Sequence, residues 1–375
     1  MTFEKEYVSK ILDQAKKFSP SYSVIADNEM QYSNFYKVFV SVKDVVSLIF
    51  RLIFNRFTKF SFIYTGIGLY KQVGDQFHDR ILDTSSIENV IYINRSKDTI
   101  MDQVSGFKVY NIGGMVKGLS GLLKFTGRKE FNVYFSYKLI NDFILGFANK
   151  PDIYSPLFYN LNGLSLVFSK HRKNFKLIEV QHGSMINFPT YSTPSTLKIA
   201  DVFFVKNQET IAYLKQHLNQ NFSDIQYELL AYPKSNTVFK EGKYILYAST
   251  VEFSGIHPVF LDYLTQIRKT ENVTVFIRLH PREKNKIDFF KNQVKNVEAK
   301  IIFDESKNWL ESNTIKNLIV VSPWSSVIED AADNKYKAII IDELGKKRFE
   351  YLIDHKNVIY ANDVTQLLEA IHHDI

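Results

Sequence analysis

Three short stretches carry the side chains best suited to chemistry. The first is Gln181-His182-Gly183, directly after the apolar run Lys176–Val180. A histidine titrates near neutrality and can take a proton from a hydroxyl, so His182 reads as a general base. The alternative is a histidine that bonds the backbone at a strand end. Gly183 would permit a sharp turn or the close approach of a ligand. The second stretch is Arg278-Leu279-His280-Pro281-Arg282. Side chains alternate along a strand, so Arg278 and His280 share a face. With Arg282 they form a basic group suited to phosphate or a nucleotide, or else a solvated charged turn. The third runs from Val321 to Glu329 and holds Ser325 and Ser326 where a strand enters a helix. Free N–H groups and the dipole at a helix start hold anions. Ser326 with Glu329 also fits a capping box, and the two readings are compatible. Thr250, in the turn after Lys243–Ser249, adds a hydroxyl that can border a bound phosphate. His257-Pro258 reads as ordinary helix-start chemistry.

Motifs of other chemistries are missing. There is no GxxxxGK[ST], no HExxH and no GxSxG, and Thr65-Gly-Ile-Gly68 lacks the third glycine of a dinucleotide fingerprint. No Asp-x-Asp occurs, and there is no cysteine, so thiolate metal sites and cysteine nucleophiles are excluded. Neither metal nor cofactor is expected.

Strand–helix alternation would position these residues. The later part predicts strands at Lys243–Ser249, Val273–Leu279, Lys300–Phe303, Leu318–Val321, Ala338–Ile341 and Val358–Tyr360. Helices are predicted between them at Pro258–Lys269, Lys284–Gln293 and Ser326–Asn334, with Thr365–Ile371 closing the chain. The earlier part predicts strands at Ser61–Thr65, Asn89–Ile93, Lys108–Asn111, Asn132–Phe135, Lys176–Val180, Val202–Val205 and Gln226–Leu230, with a helix at Gln208–Leu218. This rhythm predicts an α/β fold with parallel sheets covered by helices. The polar stretch Lys234–Gly242 reads as a linker, giving domains 1–240 and 241–375. At about 100–200 residues per domain, 375 residues fit two. Two such domains are expected to face a cleft, with ligands beyond the carboxyl ends of their strands.

At those strand ends, Gln181-His182-Gly183, Arg278-Leu279-His280-Pro281 and Ser325-Ser326 with Glu329 together resemble bacterial surface-polysaccharide glycosyltransferases of the two-domain GT-B fold. The HP and double-serine elements are similar to sialyltransferases and Kdo transferases that use CMP-activated sugars. The His-Gly element is similar to teichoic-acid and capsule polymerases. The resemblance covers roughly residues 176–335. It implies transfer of a sugar from an activated nucleotide donor to a capsule or lipopolysaccharide O-antigen glycan, free or lipid-linked. Thr250, Arg278, His280, Arg282, Ser325, Ser326 and Glu329 would lie on the donor side. His182 would be the base, with Gln181 and Gly183 beside it on the acceptor side. Sialyltransferases carry an acidic-acidic-glycine base motif where this chain has Gln-His-Gly. Phosphoribosyl diphosphate and CDP-glycerol therefore stay open as donors, and a non-enzymatic sugar or nucleotide binder is the alternative from another class.

Charge is unevenly placed. Residues 241–375 hold 18 basic and 20 acidic side chains, and residues 1–240 hold the other 29 and 20, a net of +9. An anionic partner is expected there. The scattered basic residues carry no basic-aromatic RNA motif, so nucleic acid is not expected. Tyr36–Phe57 shows a helical apolar stripe with basic flanks, which reads either as a helix buried against the first sheet or as a peripheral contact with an anionic membrane. The start MTFEKEYVSK lacks an apolar signal core, so a cytoplasmic chain is expected, peripheral at the inner face of the membrane on the second reading.

Overall fold

The computed structural model describes residues 3–18, 35–65, 70–73, 76–79, 89–94, 109–123, 129–181, 183–230, 243–251, 253, 255–267, 273–304, 317–353 and 357–372. His182, Gly66–Gly68 and the expected linker Lys234–Gly242 lie outside them. The chain divides into two compact units, Met1–Lys71 with Phe77–Tyr232, and Pro233–Ile375 with Gln72–Gln76.

In the first unit, α1 (Phe3–Phe18) and α2 (Phe35–Phe54) precede β1 (Ser61–Thr65). A separate two-stranded sheet follows, made of β2 (Tyr70–Val73) and β3 (Gln76–Asp79). The chain continues through β4 (Val90–Asn94), β5 (Val109–Asn111), α3 (Gly113–Leu122) and α4 (Lys129–Leu145). Then come β6 (Asp152–Ser155), α5 (Leu161–Val167), β7 (Lys176–Val180), β8 (Val202–Val205), α6 (Gln208–Gln216) and β9 (Gln226–Leu229). The seven-stranded sheet is parallel throughout, in the order β5-β4-β1-β6-β7-β8-β9. Its inner strands β1, β7 and β8 are buried on both faces because both are covered, while the edge strand β9 is largely exposed. Phe62 and Tyr64 of β1 enter one core cluster and Ile63 the other, as the two-residue period requires.

The second unit contains β10 (Lys243–Ala248), α7 (Pro258–Gln266), β11 (Val273–Arg278), α8 (Ile287–Gln293), β12 (Lys300–Phe303) and β13 (Leu318–Ser322). It is completed by α9 (Val327–Asp333), β14 (Lys337–Ile340), α10 (Glu343–Arg348), α11 (Glu350–Ile353), β15 (Val358–Tyr360) and α12 (Val364–His372). Its sheet is also parallel throughout, in the order β12-β11-β10-β13-β14-β15. In both sheets the strand order reverses once, between β1 and β6 and between β10 and β13. Such reversals leave a crevice at the carboxyl ends of the two central strands.

One expected strand is a helix. Asn132–Phe135 lies inside α4, whose buried positions Phe131, Tyr134, Tyr137, Asn141 and Ile144 recur at steps of three and four. The aromatic and β-branched run FNVYF favours a strand locally, but seventeen residues of helical period override it. Asn141, fully buried, accepts from the Tyr64 hydroxyl at 2.7 Å and donates to Asn162 and Ser165, which ties α4 to β1 and α5. Strand β6 (Asp152–Ser155) and helix α1 (Phe3–Phe18) are not among the elements expected from the sequence.

The Tyr36–Phe57 stripe resolves into two faces. Val45, Leu48 and Leu52 of α2 are buried in the first core, while Phe39, Val42, Val46, Phe50, Ile53 and Phe54 are exposed. Among the described residues, no helix is long and apolar enough to cross a membrane.

Candidate functional site

In the second unit the sequence-derived candidates converge on the carboxyl edge of the sheet. Ala248, the last residue of β10, lies level with Arg278 at the end of β11. Across the reversal, the Ser322 hydroxyl at the end of β13 donates to the Ala248 carbonyl at 2.8 Å. The same oxygen accepts from the Ser325 N–H at 3.1 Å. On the other flank, the Ser249 hydroxyl accepts from the His280 N–H at 2.8 Å and donates to Glu283 Oε2 at 2.6 Å. Three loops, those after β10, β11 and β13, are thus tied together by two buried serines that the sequence reading did not single out.

Thr250 is buried beside this network, and its hydroxyl has no protein partner. A buried hydroxyl without a partner costs free energy, which a ligand oxygen would recover. His257 is a second such group. It precedes α7, with Pro258 in the first turn as expected. Its N–H donates to the Tyr247 hydroxyl at 2.9 Å, its Nε2 lies 3.7 Å from Asp342, and its Nδ1 has no partner. Burial lowers the His257 pKa, opposed by the Asp342 carboxylate, so the ring is held toward its neutral form.

The double-serine element departs from the capping box. Ser326 has helical backbone angles, φ −60° and ψ −9°, and its side chain makes no cap hydrogen bond. A residue already in the helical region does not aim its hydroxyl at the N–H groups of its own first turn. Glu329 is fully buried and accepts from the Tyr351 hydroxyl instead, joining α9 to α11. The Ser325 hydroxyl accepts a long contact from the Val327 N–H at 3.4 Å, which leaves its proton available to a ligand.

The loop that carries these serines is braced from behind. An added Cβ at Gly345 of α10 would stand 1.8 Å from the Pro323 carbonyl oxygen. Arg348 lies over the Trp324 ring in a cation–π contact, its Cζ 5.4 Å from the ring centre. Arg278 pairs with Asp304 at 2.8 Å. Arg282 falls in a short 3-10 turn, Pro281–Lys286, and its side chain lies outside the described residues. Among the described residues, no group of three or more His, Asp or Glu side chains is arranged to hold a metal ion.

In the first unit, Gln181 follows β7 and spends its side chain on backbone. Oε1 accepts from the Lys206 N–H at 2.7 Å and Nε2 donates to the Gly183 carbonyl at 2.9 Å. This fixes the chain on both sides of position 182 to the end of β8. A Cβ at Gly183 would meet nothing within 4 Å, so open space borders that position. Glu179 of β7 is buried, and burial pushes its carboxyl up to about 8 against the hydrogen bonds from Tyr191 and the Phe158 N–H. Tyr191 donates to its Oε1, which braces the strand, while Oε2 has no protein partner.

No family model matches the sequence, and no curated protein matches it. Among the solved structures that align with 84% of this chain are two with bound nucleotide. One is the Neisseria meningitidis UDP-GlcNAc 2-epimerase bound to UDP-GlcNAc, matched over 90% of its length at 11% identity and a TM-score of 0.53. The other is S. aureus MnaA with UDP, matched over 87% of its length at 9% identity and a TM-score of 0.52. At these identities the likeness is one of fold. Two α/β units with parallel sheets, matched in this way, give the chain the GT-B fold.

Proposed function

We propose that the chain is a metal-independent glycosyltransferase that moves a sugar from a nucleotide-linked donor to a hydroxyl of a surface glycan, free or lipid-linked. The observation that carries this reading is the serine-tied cluster at the strand-order reversal between β10 and β13. It gathers Thr250, His280, Ser325 and Ser326 where α/β sheets bind nucleotides. The two structures of like fold hold UDP-GlcNAc and UDP, which favours a nucleotide-linked donor.

In this reading the donor phosphates lie against the start of α9. The Ser325 hydroxyl, the Thr250 hydroxyl and His280 supply hydrogen bonds, and Arg282 adds charge. Arg278 already neutralises Asp304, so it acts by holding the end of β11. His182 takes the proton of the acceptor hydroxyl. The acceptor oxygen forms a bond to the anomeric carbon as the bond from that carbon to the phosphate oxygen breaks, and the departing phosphate keeps the electron pair. Its charge is stabilised by preorganised donors in place of a metal ion, and base catalysis contributes ~10²–10⁴-fold. Gln181 anchors the backbone next to His182 through its bonds to Gly183 and Lys206. Glu329 holds the serine loop from the core.

CMP-, UDP-, GDP- and TDP-sugars, CDP-glycerol and phosphoribosyl diphosphate are the donors to compare. Thermal unfolding of the full chain in EDTA should rise with one nucleotide-linked donor and with its free nucleotide. That rise should vanish in His280→Ala and Ser325→Ala. No shift with any nucleotide, or a shift that needs a divalent cation, would count against the reading. Conversion of the donor to its epimer without an acceptor would favour the chemistry of the Neisseria protein instead.

A further inference from the structure

Among the described residues, the outer face of α2 is an exposed apolar surface. Phe39, Val42, Val46, Phe50, Ile53 and Phe54 recur at steps of three and four, and all are exposed. Just beyond the helix, Phe57 is 83% exposed. A second exposed row, Leu139, Phe143 and Phe147, runs along and past the end of α4. The segments that follow α2 and α4 are joined where the Asn149 side-chain amide donates to the Phe57 carbonyl at 3.3 Å, and α3 packs against both helices with Leu122 exposed at its end. Single exposed apolar residues are ordinary; a row continued on a neighbouring helix marks an interaction surface.

The charges around it identify the occupant. Lys43, Arg51 and Arg56 lie on α2 or just past it, while Lys59 beyond them is paired with Asp152 at 2.9 Å. The single carboxylate of α2, Asp44, accepts from the Asn111 N–H and side chain and so faces the protein. Arg56 stands 4.7 Å over the Phe57 ring, which puts a cation beside an apolar anchor. A two-fold contact between copies would bring the same basic groups face to face. We infer that this face of α2 and α4 docks on the surface of an anionic lipid bilayer, with the phenylalanines at the acyl boundary and the basic residues at the headgroups. The helix lies along the surface, since it is not apolar enough to cross. Docking goes beyond the proposed transfer reaction and needs neither donor nor acceptor.

The test is co-sedimentation of the full chain with vesicles of phosphatidylglycerol and phosphatidylcholine, and with phosphatidylcholine alone. The chain should bind the mixed vesicles at low salt, and binding should fall as salt rises. Each of Lys43→Gln and Arg56→Gln should weaken it about fivefold. Phe54→Ser with Phe57→Ser should weaken it by tenfold or more with an unchanged unfolding midpoint, since both side chains are exposed. Phe143→Ser should weaken it as well, and unchanged binding in that variant would remove α4 from the docking face. Failure to bind anionic vesicles at low salt, or binding indifferent to the phenylalanine changes, would overturn the inference. So would a concentration-dependent dimer in sedimentation velocity that those changes abolish, because the face would then join two copies.

Discussion

The Ser249 hydroxyl donates to Glu283 Oε2 at 2.6 Å, although 34 residues separate the two. Both are buried, and the same hydroxyl receives the His280 N–H. The end of β10 therefore sets the height of the loop that carries His280. Ser249→Ala removes one hydrogen bond from a buried carboxyl group and one from an N–H, which should cost ~1–3 kcal/mol of stability. Urea unfolding measures that cost. Donor affinity should fall in the same variant although Ser249 itself is assigned no donor contact, and an unchanged affinity would separate the serine from the site.

Gly345 offers a second handle on the site from outside it. With a Cβ 1.8 Å from the Pro323 carbonyl oxygen, Gly345→Ala must displace backbone on one side or the other. Overpacking of this kind costs ~1–3 kcal/mol. The displaced loop leads into Ser325, so nucleotide binding should weaken along with thermal stability. A variant that keeps full nucleotide affinity would show that the loop position does not govern the donor site.

Glu179 predicts the sign of a pH effect. Its carboxyl is at about 8 in the folded chain against an ordinary 4.5, so between those values the folded chain binds more protons than the unfolded one. Its contribution is fully favourable below about 4.5, declines as pH rises and levels off above about 8. Glu179→Gln keeps an oxygen for the Tyr191 hydroxyl and removes the titration. Urea unfolding at pH 5.5 and pH 8 should show the decline in the wild type and a flatter response in the variant. Equal slopes would assign the decline to other groups.

Much of the second unit was legible in the sequence because its strands are short β-branched runs between clear helix starts, such as Pro258 at the first position of α7. The order of residues in Arg278–Arg282 and Ser325–Ser326 also placed both stretches at strand ends, where the structure has them. The capping box failed because its letters fit a backbone state that Ser326 does not adopt. Asn132–Phe135 misled because local propensity speaks for four residues and burial period for seventeen. The bracing by Ser249, Ser322, Gly345 and Glu283 left no signal, since such contacts exist only once distant loops meet. The Tyr36–Phe57 stripe posed core against membrane as alternatives, whereas α2 is apolar on two faces and buries only one.

His280→Ala and Ser325→Ala should each weaken nucleotide binding tenfold or more, because a hydrogen bond to a charged phosphate contributes ~1.5–3 kcal/mol. Isothermal titration with the preferred nucleotide checks this. An affinity within twofold of the wild type in both variants would move the phosphate away from the start of α9.

The most direct test of transfer is the rate of nucleotide release from the preferred sugar donor, with acceptor glycan and EDTA present, in the wild type and in His182→Ala. The account predicts release that depends on the acceptor and survives EDTA. It also predicts a fall of ~10²-fold or more in His182→Ala at unchanged donor affinity. Near-normal release in that variant, or release only with a divalent cation, would contradict it.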